Sequence, residues 1–212
     1  MANGLRTNLG GVATRVAPFC WILLGANGAG ADPSVLTDDD WKRLSAGEAV
    51  VHTAELNDRP RVGALVLVPQ SVDRIWDIMV DCERAPEFVP NLRRCEVIDR
   101  AEDGSWELIE HEVKYRWFAP KTIYRFKAEY VHGQQVRFSR VSGDLRELEG
   151  VWGLFPLPTE DDRVLVSYTV SIDPGVFVPD VLVRRALERD LPELMHALRH
   201  RVDQVHQASV NH

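Results

Sequence analysis

Between Arg93 and Asp173, apolar and charged side chains alternate with a period of two. The alternating segments are separated by only a few residues of turn chemistry: Asp103-Gly104, Ala119-Pro120, His132-Gly133, Ser142-Gly143-Asp144 and residues 158–162. The pattern predicts strands over residues 94–100, 105–117, 122–130, 135–141, 145–155 and 163–172. Parallel neighbours need a crossover of about a dozen residues, so strands this close along the chain must pair antiparallel, as a meander. The alternation also assigns faces. Ile109, His111, Val113, Tyr115, Trp117, Tyr124, Phe126, Ala128, Tyr130, Val136 and Phe138 share one side with Leu148, Trp152, Leu154, Val166, Tyr168 and Val170. Glu110, Glu112, Lys114, Arg116, Arg125, Lys127, Glu129 and Arg137 occupy the other. One apolar, aromatic-rich face and one charged face describe a sheet covered on one side.

The flanking segments supply the rest of the fold. Two apolar runs, residues 49–56 and 62–68, surround Asn57-Asp58-Arg59-Pro60 and read as a hairpin. Ser71 stands at a helix start, with Val72, Ile75, Trp76, Met79 and Val80 on one stripe. Residues 81–89 suggest a second short helix closed by Pro90, and residues 38–44 a short helical lead-in. Leu187, Leu191, Leu194, Leu198, Val202 and Val205 step by three and four along a helix of about 27 residues from near Asp180. Pro192 inside it is expected to bend it.

The first 31 residues contain no Asp or Glu. Arg6 and Arg15 are followed by an apolar stretch, residues 16–26, and by Ala29-Gly30-Ala31, the layout of a cleaved secretory leader. We therefore expect a leader over residues 1–31, a lead-in over 32–47, one domain over 48–207 and a tail over 208–212, with the mature chain exported to a periplasm. Cys82 and Cys95 remain in that chain. They could close a loop of about 14 residues in an oxidising compartment, although two separate buried thiols are the default reading. The formal net charge is −7, and both leader arginines would be lost on cleavage. That balance argues against a nucleic-acid binder or tight docking on anionic lipid. No apolar run reaches the roughly 18 residues of a membrane span.

Three passages carry a family likeness. The first is Val68-Pro69-Gln70-Ser71-Val72-Asp73-Arg74-Ile75-Trp76, followed by Asp81-Cys82-Glu83-Arg84-Ala85-Pro86-Glu87-Phe88-Val89-Pro90. The second is Gly150-Val151-Trp152 with Pro156, Val166-Ser167-Tyr168 and Asp173-Pro174-Gly175; the third is Arg184-Arg185-Ala186-Leu187 through Leu191-Pro192-Glu193-Leu194. Over residues 48 to 205 the chain resembles the START-like superfamily of polyketide cyclase/dehydratase and lipid-transport proteins, and most of all its coenzyme Q-binding and secreted members. The resemblance implies an α+β helix-grip fold: a curved antiparallel sheet of six to eight strands wrapped around a long C-terminal helix. It also implies an apolar cavity between sheet and helix, gated by the short helices around Phe88.

On that basis Phe88, Trp117, Tyr124, Phe126, Tyr130, Trp152, Tyr168, Leu191 and Met195 are expected to line a site for one hydrophobic small molecule: a quinone, isoprenoid, sterol-like molecule or acyl lipid. His111 is the ionisable residue on the apolar face. It reads as a hydrogen-bonded core histidine, with a ligand contact or a general base as the sharper alternative. Arg140 continues the Val136–Phe138 face at a strand end, where it could meet an anionic head group or water. His196 and His200 stand four apart but lack an acidic or Cys partner at fixed spacing, so no metal is expected. The sequence carries no G-x-S-x-G, H-E-x-x-H or phosphate-binding loop, and no cofactor is expected. A ligand carrier is the first reading. The alternatives are a cyclase or dehydratase using His111 and an accessory protein of a periplasmic oxidation system, the latter with a protein partner.

Overall fold

A computed structural model describes residues 36–56, 59–114, 121–158, 162–174 and 178–210. The expected leader and Trp117 lie outside the described residues. Twelve elements run in the order α1 (Asp38–Ser45), β1 (Val50–Leu56), β2 (Arg59–Val68), α2 (Val72–Met79), α3 (Ala85–Phe88), β3 (Leu92–Arg100), β4 (Trp106–Val113), β5 (Thr122–Val131), β6 (Gln135–Gly143), β7 (Glu147–Pro156), β8 (Val164–Asp173) and α4 (Asp180–Val210).

The eight strands form one curved antiparallel sheet in the order β1-β2-β8-β7-β6-β5-β4-β3. The meander from β3 to β8 pairs each strand with the next, as its short turns demand. The β1–β2 hairpin then adds to the far side, with Val62 opposite Val170 and Val68 opposite Val164. The charged face pairs among itself: Glu110 takes the Arg125 Nε at 2.8 Å and an Arg94 guanidinium N–H, and Lys121 meets Glu112 at 3.2 Å.

α4 lies against the apolar side along β2 and runs 31 residues without ending at Pro192. Leu191, Met195, Leu198 and Val202 are buried there in the main core with Val62, Ala64, Val66, Ile75 and Trp76. The expected helix over 81–89 is shorter than its apolar pattern suggested: only Ala85–Phe88 is helical. The Asp81 carboxylate accepts from the Arg84 amide at 3.1 Å and holds the preceding residues as a turn instead. Ser71 stands at the N-cap of α2, but its side chain makes no capping bond.

The lead-in has a packing role that the sequence reading did not assign. Thr37 and Asp40 form a reciprocal capping box, and α1 sets Leu44 and Trp41 against the outer face of the sheet. Leu44, Val50, Leu65, Leu67 and Leu165 make a second, smaller core there. This is why β2 reads as a continuous apolar run rather than an alternation: both its faces are covered. Arg199 of α4 donates to the Gly47 carbonyl at 3.1 Å and ties the α1–β1 turn to the main helix. Gly47 sits at φ +87°, and a Cβ there would meet the Arg199 guanidinium.

Candidate functional site

Sheet and helices enclose a cavity of about 200 Å³. Its sheet wall is the apolar face of β4 to β8: Ile109, His111, Tyr124, Phe126, Ala128, Tyr130, Val136, Phe138, Leu148, Trp152 and Tyr168. Met79 and Val80 at the end of α2, Ala85, Phe88 and Val89 at α3, and Leu194 and Leu198 of α4 close the other side. The aromatic rings pack edge to face, tilted or, for Phe138 on Tyr168, stacked around the space. Phe126 to Phe138 is 6.0 Å and T-shaped, Trp152 to Tyr168 is 4.2 Å, and Trp76 meets the edge of Tyr130 at 6.1 Å.

Two polar elements reach this wall. The first is His111 on β4, whose Nδ1 lies 3.3 Å from the hydroxyl of Tyr124 on β5, directly opposite in register. The imidazole meets Phe126 edge to face at 4.8 Å, and burial among such rings pushes its pKa down to about 4. The histidine is therefore neutral at pH 7, with one donor and one acceptor nitrogen. The second is Tyr130, whose hydroxyl donates to the Glu107 carboxylate at 2.8 Å; burial, together with that bond, pushes its pKa up.

The structure brings Phe88, Tyr124, Phe126, Tyr130, Trp152 and Tyr168 to the cavity with His111. It does not bring Leu191 and Met195. Both are buried in the core where α4 packs along β2, and Met195 is fully inaccessible. Residues 191, 195, 198 and 202 share one helical face in the core; Leu198 on that stripe also borders the space, and Leu194 at its side faces it. Arg140 is half-buried within β6 rather than at its end, opposite Phe126, and donates to the Gly143 carbonyl at 3.0 Å; it does not line the cavity. His196 and His200 are exposed on α4.

Leu92, Cys82 and Cys95 also line the cavity, where the sequence pattern does not place them. Leu92 and Cys95 are three apart, yet both pair with inward-facing partners, Val113 and His111, because β3 carries a register shift between Leu92 and Arg94. A bulge of this kind breaks the period of two, so alternation alone could not place them. The thiols are not separate, as the default reading had it. Cys82 and Cys95 form a disulfide with a Cα–Cα distance of 5.4 Å. The turn before α3 carries Cys82 over the edge strand, within bonding reach of Cys95.

The profile of the family described as polyketide cyclase / dehydrase and lipid transport matches residues 68–199. A curated Streptomyces cyaneus protein, provisionally named a polyketide cyclase, is 26% identical over 146 residues, spanning 66% of this chain and 91% of its own. Among solved structures, a START superfamily protein from Mycobacterium smegmatis superposes with a TM-score of 0.61 at 23% identity, covering 68% of this chain and 98% of its own. A STAR-related lipid transfer protein from Xanthomonas axonopodis gives 0.63 at 16% identity, covering 74% and 94%. No helix among the described residues is long and apolar enough to cross a membrane. With the profile match spanning most of the described sheet and helix, the chain belongs to the polyketide cyclase / dehydrase and lipid transport family.

Proposed function

We propose that this protein is an exported carrier that holds one hydrophobic small molecule between the sheet and α4. The observation that carries this reading is the cavity itself, an aromatic-lined space closed by α2, α3 and α4 with the neutral His111–Tyr124 pair in its wall. Apolar burial at roughly 25 cal/mol per Å² binds such a ligand without any chemical step. The His–Tyr pair would receive one carbonyl or hydroxyl, which favours a quinone, isoprenoid or sterol-like ligand over a pure hydrocarbon. At about 200 Å³ the space is smaller than the roughly 300–1,000 Å³ of most ligand pockets, so a larger ligand requires α3 to move outward. Export is supported by the leader-like residues 1–31 and by the Cys82–Cys95 disulfide, a bond that persists in oxidising compartments.

A cyclase or dehydratase is the second reading, favoured by the curated relative's name and by an imidazole at the cavity wall. Its weakness is chemical. A general base works best with a pKa near the operating pH, and His111 sits near 4. The test is native mass spectrometry of the protein exported with its own leader, followed by solvent extraction. A stoichiometric apolar adduct is the expected result and names the ligand class. An empty protein that also fails to bind a panel of quinones and lipids overturns the carrier. Turnover of a polyketide-like substrate that is lost in His111→Ala would establish the enzyme instead.

A further inference from the structure

The cavity's cover is held by few ties. α3 is four residues long, and none of its side chains is fully buried. Among the described residues, the backbone bonds donated from Cys82 to Val89 all end on residues 80 to 85 of the same segment. The first bond from this passage to another element is the one the Asn91 carbonyl accepts from the Lys114 amide at 2.9 Å. Glu87 meets Arg201 of α4 at 2.7 Å, but its side chain is 55% exposed, and exposed pairs of this kind contribute little. Beyond the packing of the partly buried Phe88 against the main core, the remaining tie is the disulfide. It joins Cys82, just ahead of α3, to Cys95 in the edge strand β3, and the loop it closes contains all of α3 with the cavity-lining Phe88 and Val89.

We propose that the Cys82–Cys95 disulfide is a redox latch on the cavity. Oxidised, it holds α3 over the bound molecule; reduced by a dithiol, it frees α3 and lets that molecule exchange. The proposal rests on reading the cavity as a ligand site. Both cysteines are half-buried rather than sealed in the core, so a reductant can approach. A thiolate of the dithiol attacks one sulfur, forming a mixed disulfide and releasing the other cysteine as a thiolate that takes up a proton. The second thiol of the reductant then displaces the remaining cysteine. Two electrons and two protons pass to the protein, and the reductant leaves as its own disulfide. Opening the loop returns conformational freedom to a segment that little else restrains.

Hydrogen exchange of the full chain, oxidised and after dithiothreitol, tests the latch, with a Cys82→Ser/Cys95→Ser variant as a second reduced state. Amides of residues 82–92 should exchange at least about tenfold faster in both reduced states while β5 to β8 keep their protection. Release of bound N-phenyl-1-naphthylamine should accelerate to match. Unchanged protection over 82–92, loss of protection spread evenly over the sheet, or a disulfide that dithiothreitol cannot reduce in the folded protein would each overturn the latch. Faster exchange over 82–92 in a protein that binds neither naphthylamine nor the quinone and lipid panel overturns the ligand reading and with it the latch's role in ligand exchange, leaving only a disulfide that restrains α3.

Discussion

At the scale of single residues, His111 sits in an environment far from water. Its folded pKa is about 4 against an ordinary 6.5, because burial penalises the charged ring. Between those values the unfolded chain binds more protons than the folded one. The stabilisation is therefore complete above about pH 6.5 and is lost as the pH falls toward 4, by on the order of 3 kcal/mol. His52, lowered by its own burial, adds to the same slope. Glu110, lowered chiefly by the hydrogen bond from Arg125, acts only in more acid solution. Thermal midpoints measured from pH 7 to 4 should lose much of their slope in His111→Gln; equal slopes would place the effect elsewhere. Met195 and Leu194 offer a second contrast. Met195→Ala empties a fully buried position and should cost about 2–5 kcal/mol in denaturant unfolding. Leu194→Ala faces the cavity and should cost less while changing the affinity for naphthylamine. The opposite ranking would return Met195 to the site and Leu194 to the core.

At the scale of elements, each piece is held by a different means. The meander strands are fixed by their turns and by cross-strand pairs such as His111 with Tyr124 and Trp152 with Tyr168. α4 is held by a wide buried stripe. α1 depends on one small core outside the sheet, so Leu44→Ala, at 1% exposure, should destabilise the protein by about 2–5 kcal/mol. Circular dichroism on denaturant titration would show this, and a loss below about 1 kcal/mol would mean that α1 docks too loosely to matter. α3 has no fully buried side chain and packs only its partly buried Phe88 against the main core, so under the proposed latch the neighbouring disulfide governs it.

At the scale of the whole molecule, the proposed export is open to direct measurement. Expression with its own first 31 residues in a Gram-negative host should yield periplasmic protein whose N-terminus is Asp32. Cytoplasmic protein beginning at Met1 would remove the leader. The sequence by itself determined the sheet, its antiparallel pairing, the face that turns inward and the covering helix. Those follow from local rules, the two-residue period of a pleated strand, the length of a turn and the 3.6-residue period of a helix. The inward placement of Tyr124, Phe126, Tyr130, Trp152 and Tyr168 followed too, because they keep strict alternation, while a cavity beside them was what the family resemblance implied. Tertiary structure alone decided what depends on distance between elements. The bulge in β3 turned Leu92 and Cys95 inward together, and the turn before α3 brought Cys82 to its partner. The roll of α4 against β2 kept Leu191 and Met195 in the core, brought Leu198 to the border of the cavity and turned Leu194 toward it, since a helix with apolar residues around much of its circumference leaves its orientation to whatever packs against it.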